Sequence, residues 1–483
     1  MFNLILAVEK NYGIGINGVL PWYISEELSV FREKTKESIL IVGRKTLEKL
    51  PKLKDRTIFC ISKSIDINCK NEVVRVFQDI EDAIKEAKFL ANNLNKNIFV
   101  IGGNQIYNYF FKNYKNELLV HISFINERYT CDTFFDKNNL KDFYIIKKDD
   151  YELFSHFEMK YKKYGEKQYL DLIKDVLENG EKRKTRNAET ISDFCKHLKF
   201  DLRDGFPLLT TKKMFLKGII EELLFFIRGH TQSKKLEEKG INIWKGNTNR
   251  EFLDANGFTD RKEGEMGPMY GSQWRHFNAI YDIKNIYSRG ENEAIQDYTV
   301  DGYMIEFKKL CWEKGYEPEL PEFNIDQLKF VIEEIKSNPT SRRIMMTTFN
   351  PSQVQQGVLW PCHSITIQFY VQEDYLDMFC YNRSSDLFLG LPFNIASSSL
   401  FLMIIAQLTN LKPRYFNLSL GDSHIYSNHI EAVKEQLERS PYLFPKIDMP
   451  VFSSIEEVEK LKFEDFKITN YNYYPSIKAN MVA

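Results

Sequence analysis

The chain has 483 residues, 43% of them hydrophobic and 14% aromatic, which is ample for packed cores and too long for one ordinary core. Its formal net charge is −1 and it has no long basic run, which argues against nucleic acid or an anionic membrane as the main partner. Seven cysteines, an odd number, stand without Cys-x-x-Cys spacing, which argues against a disulfide framework or a zinc site and for reduced intracellular thiols.

In chain order, Met1-Phe2-Asn3-Leu4-Ile5 lacks the charged region and cleavage site of a signal peptide, and no apolar run approaches the ~20 residues of a membrane span. The expectation is a soluble cytoplasmic protein. Residues 3–8, 39–42, 57–61, 98–101 and 118–122 read as strands, with helical patterns near 25–35, 80–94 and 104–112. This alternation predicts an α/β unit over 1–163. A linker over 164–166 follows. Residues 166–178 read as an amphipathic helix, with Tyr169, Leu172, Ile173 and Val176 at helical spacing. The second unit, 167–483, mixes helical patterns at 217–228 and 396–409 with a strand at 364–371, which predicts an α+β domain. Residues 286–323 are polar, carry Pro318 and Pro321, and read as a surface insertion.

The first group of chemical residues follows Leu20-Pro21-Trp22. Ser25 is placed as a helix N-cap, with Glu26 and Glu27 in the first turn. Glu27 and Phe31 stand i, i+4, so one face carries a carboxylate beside an aromatic ring. Alone, Glu27 reads as an ordinary first-turn acid. Three strand ends add Gly43-Arg44-Lys45-Thr46, Ser62-Lys63 and Gly102-Gly103, where glycines and helix starts suit a pyrophosphate. In this order the residues resemble dihydrofolate reductase. The resemblance implies Glu27 as the acid, with Ile5, Phe31, Arg56 and Ile101 around dihydrofolate. It also implies Ala7, Gly43, Arg44, Lys45, Thr46, Ser62, Lys63, Gly102, Gly103 and Tyr107 around the cofactor. Arg44, Ser62 and Lys63 suit an added ribose phosphate, hence NADPH. Val120, before His121-Ile122, is placed where the family has a threonine bonded to the acid, a loss of ~1 kcal/mol. Asp132-Thr133-Phe134-Phe135 matches the family's late strand.

The second group is Pro361-Cys362-His363 with Asn382-Arg383-Ser384-Ser385-Asp386 and Leu389-Gly390-Leu391-Pro392-Phe393-Asn394. A thiolate can add to carbon 6 of uracil, and a positive neighbour favours the thiolate. Guanidinium forks suit phosphate, and an asparagine amide can pair with a pyrimidine edge. These motifs resemble thymidylate synthase. The resemblance implies Cys362 as nucleophile, with Arg383 favouring its thiolate. Glu222 is the acid that helps activate uracil. Arg186, Arg342, Arg343, Arg383, Ser384, Asn394, His424 and Tyr426 hold dUMP. Trp244, Asp386, Leu389, Gly390 and Phe393, with Tyr270, line the site of methylenetetrahydrofolate. The pair Arg342-Arg343 implies a homodimer through this domain, since in the family it reaches the partner's site. Departures from the pattern are the glycine-free stretch Arg186 to Thr190, Lys245 for an aspartate, Asn382 for a glutamine and tyrosine for histidine in the tail at 473–478. Neither group contains a metal-ligand cluster.

Together the two resemblances predict a bifunctional dihydrofolate reductase–thymidylate synthase. One alternative is a working synthase joined to a weak, structural reductase unit, motivated by Val120. A second, a nucleotide hydroxymethylase, is disfavoured by Asn394 and Trp244. A third, an RNA-binding protein, is disfavoured by the lack of a basic stripe.

Overall fold

β1 (Phe2–Val8) is buried at every position, as a strand covered on both faces must be. It sits inside the first of two compact units, Met1–Lys163 and Tyr164–Ala483, of a computed structural model that describes residues 1–71, 74–185, 188–279, 281 and 325–480. The remaining strands of unit one are β2 (Gly13–Gly15), β3 (Ile39–Gly43), β4 (Thr57–Ile61), β5 (Val74–Phe77), β6 (Ile98–Val100), β7 (Leu118–Ile125), β8 (Thr133–Phe134), β9 (Phe143–Asp150) and β10 (Phe154–Tyr161). Eight of them form one mixed sheet in the order β5-β4-β3-β6-β1-β7-β10-β9. β5 through β7 in that order run parallel, and β10 and β9 close the edge antiparallel. β2 and β8 make a separate two-stranded ribbon.

The helices of this unit are α1 (Ser25–Thr35), a short turn α2 (Arg44–Leu47), α3 (Ile80–Leu94) and α4 (Asn104–Asn113). α3 starts on Asp79, whose carboxylate accepts the Glu81 N–H, and ends on Asn95 in the left-handed conformation. α1 begins differently from the sequence expectation. Its N-cap is Ile24, without a side-chain cap bond, and Ser25 is the first helical residue. Ile24 is buried beside Ala7, Trp22, Ile125 and Phe154, so packing positions the helix start.

In unit two, α5 (Lys167–Asn179) buries Tyr169, Leu170, Leu172, Ile173 and Val176. The expected linker 164–166 is not a free tether. Glu166 is wholly buried and accepts hydrogen bonds from the amides and hydroxyls of Thr210 and Thr211. The strands are β11 (Glu181–Lys184), β12 (Glu189–Asp201), β13 (Met345–Thr347), β14 (Thr366–Gln372), β15 (Tyr375–Asp386) and β16 (Lys412–Tyr426), with a small pair β17 (Lys446–Asp448) and β18 (Lys467–Thr469). The first six form a sheet in the order β11-β12-β16-β15-β14-β13. β15 and β16 are parallel and the other neighbours antiparallel. The expected insertion at 286–323 lies outside the described residues.

Two helices fill the core of this unit. α6 (Leu216–Ile227) is buried from Gly218 to Ile227, as a helix apolar on all sides must be. The helix Gly390–Leu408 begins two turns earlier than its apolar pattern, because Pro392 in the first turn lacks only an N–H that would have no helical partner anyway. At 19 residues it is long and apolar enough to cross a membrane, against the expectation that no such run exists. Here 72% of its most apolar 18-residue stretch is buried inside the unit, where it is a core helix.

Candidate active sites

In unit one, Glu27 occupies the third position of α1 and is 6% exposed. Burial pushes its carboxyl up to about 6, and a hydrogen bond with the Ser123 hydroxyl partly opposes this. Ser123 is therefore the residue beside the acid, and Val120 is not. β7 pairs with β1 so that Ser123 lies level with Ala7 and His121 with Ile5, while Val120 is level with Leu4. Successive strand residues face opposite sides, so positions three apart cannot share a face. Val120 is instead fully buried in the core. The residue beside the acid therefore stands three positions after the one the sequence match picks.

Ile5, Ala7 and Ile101 are buried at adjacent strand ends, and Phe31 packs onto the cluster that includes Ile5 and Ile101. The Arg56 guanidinium bonds the carbonyls of Lys54 and Arg32 and, at 3.3 Å, the Thr35 hydroxyl. It thus closes the C-terminal end of α1, and burial lowers its pKa.

The glycine ends meet. The Gly43 N–H donates to the Gly102 carbonyl at 2.7 Å. Gly102 has φ +103°, and a Cβ there would come 3.0 Å from the Tyr107 ring and hydroxyl. Gly103 caps α4, and a Cβ on it would sit 3.0 Å from the Thr46 hydroxyl. Tyr107 is buried, and its hydroxyl donates to the Ile5 carbonyl at 2.8 Å. Bare backbone at a helix start is the surface a pyrophosphate fits. Lys45 and Lys63 are exposed, and the Arg44 side chain is 42% exposed. The Ser62 hydroxyl accepts the Ser64 N–H at 3.0 Å. Asp132 holds the opposite loop, accepting the Asn17 N–H at 2.7 Å.

In unit two, α6 places Glu222 and Phe226 on one face. Glu222 is 9% exposed, burial raises it to about 7, and the Trp244 indole N–H donates to it at 2.8 Å. Phe226 stacks on Tyr270 at 4.9 Å. The Tyr270 hydroxyl accepts the Cys362 N–H at 3.1 Å and lies 3.5 Å from Sγ. Burial keeps this phenol protonated, so its own proton is free to donate to the sulfur. His363 stacks on Tyr270 at 4.4 Å, and burial lowers it to about 4.

Arg383 bonds the carbonyls of Pro361 at 2.8 Å and Trp360 at 3.0 Å, which ties β15 to the segment before Cys362. The Arg383 charge acts on Cys362 in the expected direction, favouring the thiolate. Burial nevertheless raises the thiol, and the Tyr270 hydrogen bond and the Arg383 charge lower it only in part. The arginine itself is exposed to solvent.

Parallel pairing of β15 with β16 brings two distant motifs level, Ser384 with Asp422 and Asp386 with His424. Gly421 permits this approach, since a Cβ there would meet the Arg383 carbonyl at 2.6 Å. His424 Nδ1 pairs with Asp422 at 2.8 Å, and its ring meets Tyr426 edge-on at 5.0 Å. Asp422 also takes Arg183 at 2.8 Å, an arginine that the sequence reading missed. Asn382 accepts the Ser364 N–H at 3.0 Å and reaches the half-buried Asn394 side chain at 3.5 Å. Asp386 accepts the amides of Phe388 at 2.9 Å and Leu389 at 3.2 Å, where the core helix begins through Gly390 and Phe393. Burial opposes its charge, but His429 and these amides outweigh that and hold it low.

His429, also missed, follows Ser427-Asn428 just after Tyr426. It is fully buried, 3.7 Å from Asp386, and its Nε2 meets the Asn480 carbonyl at 2.8 Å. The tail is laid down by further bonds. Tyr471 donates to the Leu209 carbonyl at 2.8 Å and Tyr474 to that of Thr210 at 2.8 Å. Lys212, a third omission, is buried and lowered to about 7 by burial, against the pull of Asp386 and Glu166. Arg342 and Arg343 are exposed just before the edge strand β13, and Lys245 is exposed beside Glu237. Arg186 lies outside the described residues. Among those residues no group of three His, Cys, Asp or Glu could hold a metal ion.

Comparison with known proteins matches each unit separately. The dihydrofolate reductase family model covers residues 1–165 and the thymidylate synthase family model residues 167–483. A bifunctional dihydrofolate reductase–thymidylate synthase of Paramecium tetraurelia is 36% identical over 99% of this chain and 98% of its own length. That of Zea mays is 33% identical over 99% and 96%. The thymidylate synthase of Homo sapiens is 43% identical over 66% of this chain and 91% of its own. An oxidoreductase unit therefore precedes a methyltransferase unit in one polypeptide, and the chain belongs to the bifunctional dihydrofolate reductase–thymidylate synthase family.

Proposed function

We infer that the carboxy-terminal unit converts dUMP to dTMP by reductive methylation and that the amino-terminal unit returns the dihydrofolate produced to tetrahydrofolate. The observation that carries this is the full-length match of both families, each over a unit with its own buried acid, Glu27 or Glu222.

In the reductase unit, Glu27 binds the amino group and ring nitrogen of the pterin. Its raised pKa keeps a proton within reach near neutral pH, as an acid for ring protonation requires. NADPH supplies the hydride when bound. Gly43, Thr46, Gly102, Gly103 and the start of α4 would hold its pyrophosphate, with Arg44, Ser62 and Lys63 at the ribose phosphate. The scaffold alternative rested on Val120, and Ser123 beside Glu27 removes that motive.

In the synthase unit, Cys362 adds as its thiolate to carbon 6 of uracil, and the electron pair of the carbon 5–carbon 6 bond shifts toward the neighbouring carbonyl, which makes carbon 5 nucleophilic. The Tyr270 hydroxyl steadies the sulfur, and Arg383 with Ser384 takes the nucleotide phosphate, whose charge these groups match. Glu222 gives or takes the proton at the pyrimidine carbonyl side, and Asn394 reads the base edge. Methylenetetrahydrofolate supplies the carbon and the hydride when bound, over Trp244 and Asp386. Asn394→Asp is expected to move preference from dUMP toward dCMP. Unchanged discrimination would remove Asn394 as the base reader.

The homodimer reading is supported by an outer sheet face that exposes Gln368 and Tyr370 beside Arg342. Six free cysteines among the described residues support a reducing cytoplasmic setting. The test of the whole reading follows dTMP and NADPH together in a mixture of dUMP, methylenetetrahydrofolate and NADPH. Matching dTMP gain and NADPH loss supports both activities. dTMP with accumulating dihydrofolate refutes the reductase half.

A further inference from the structure

Behind Glu27 lies a buried polar chain that ring protonation, as described above, does not use. Ser123 Oγ meets His156 Nδ1 at 3.0 Å, and His156 is 2% exposed. The His156 ring runs parallel to that of His121, 6.0 Å away at 18°. His121 Nε2 in turn meets Asn3 Oδ1 at 3.2 Å, and the Asn3 amide donates to the Ile98 carbonyl at 3.3 Å. β7 thus bonds the His156 imidazole of β10 through Ser123, and β1, itself bonded to the end of β6, holds the parallel ring of His121.

The proton count decides which way this chain points. A serine hydroxyl has one proton and two acceptor lone pairs. Toward an ionised carboxylate, which can only accept, it can act only as donor. The contact with His156 must then run the other way, from Nδ1–H to Oγ. This assigns the neutral Nδ1–H tautomer, with a bare lone pair on Nε2. Nε2 is buried and meets no partner among the described residues, and a stranded lone pair costs less than a stranded N–H.

We propose that His156 is a positioning residue for proton supply in the reductase unit: its Nδ1–H locks the Ser123 hydroxyl onto Glu27. The proposal rests on the reductase reading of Glu27. With Nδ1 protonated, Ser123 cannot turn to donate to the imidazole, so its only proton stays on the acid. The chain favours the carboxylate and brings its proton affinity down from where burial alone would leave it. The charges facing His156 keep it neutral. Burial disfavours the imidazolium most, followed by Lys34 on α1; Glu158 on β10 and Asp149 on β9 pull the other way, and Lys147 on β9 adds the smallest push against the charge. Lys34 is itself paired with Glu158 at 2.8 Å. His121 is held neutral by the same burial.

The test is the pH profile of hydride transfer from NADPH to dihydrofolate, measured in single turnover on the full-length chain. His156→Leu is expected to raise the midpoint by about half to one pH unit, the worth of one hydrogen bond. His156→Asn, whose amide can stand where Nδ1–H stands, should keep the native midpoint, whereas His156→Gln should behave like the leucine variant. Ser123→Ala should raise the midpoint at least as far, and adding His156→Leu to it should move it no further. Bound-NADPH fluorescence checks that each variant folds, and the Asn and Gln pair decides the matter if leucine does not. An unchanged midpoint in His156→Gln, or a shift that persists in the Ser123→Ala background, overturns the proposal. Glu27→Gln separates the two levels, because a profile that still titrates in that variant refutes the reductase role of Glu27 itself.

Discussion

Each unit buries a carboxyl in its candidate site, and burial raises both, Glu27 to about 6 and Glu222 to about 7. Each is opposed by one hydrogen bond, from the Ser123 hydroxyl in the first unit and the Trp244 indole in the second. The placements differ. Glu27 is in the first turn of α1, where the helix dipole favours negative charge, whereas Glu222 is mid-helix in α6 with no such help. The partners differ too. A hydroxyl takes its direction from its own neighbour, here His156 at 3.0 Å, whereas an indole N–H can only donate. One device, desolvation, is thus trimmed to two set points by where the acid sits on its helix and what faces it.

The largest expected effects show that the two sites act separately. Cys362→Ser should cut dTMP formation by on the order of 10³-fold or more and leave NADPH oxidation with dihydrofolate unchanged. Glu27→Gln should do the reverse, lowering hydride transfer about 10²- to 10⁴-fold. Loss of both activities from either substitution, in a chain that still folds, would contradict separate sites.

A stability measurement compares the acids directly. The folded carboxyls hold protons more tightly than unfolded ones, so between about pH 4.5 and 7 the folded chain binds more protons. Stability from these groups therefore falls as pH rises through that window. Glu222→Gln should raise stability near pH 8 by on the order of 3 kcal/mol and change little near pH 4.5. Glu27→Gln should give a smaller gain, on the order of 2 kcal/mol. Denaturant melts at the two pH values check this, and equal gains at both would mean that the acids are not raised.

The smallest effect concerns the donor. Trp244→Phe removes the hydrogen bond that lowers Glu222, so the pH midpoint of dTMP formation should rise by about 0.7 unit. A fall would mean that the indole acts on the folate and not on the acid.

Much of both sites was legible as residue types in order. The strand ends with glycines, the Cys362 motif and the Asn394 motif are local, and local chemistry reads directly from a chain. Errors arose where the answer depended on register or packing. His121-Ile122 makes Val120 the match along the sequence, yet pairing of β7 with β1 brings Ser123 to the acid. Ser25 has the side chain of a cap, but buried Ile24 sets the helix start. Arg383 acts on the sulfur as expected, and what the sequence did not show is the burial that opposes it. His429, Lys212 and Glu166 carried no signal, because their roles come from partners some forty to two hundred residues away.

By itself the sequence determined the two units, their families and the residues that bear the chemistry, since these follow from side-chain type and short spacing. Only the tertiary structure decided which hydroxyl faces Glu27, how strongly each acid holds its proton and what supports Cys362. Those properties are set by strand register and desolvation, which arise when distant segments exclude water together.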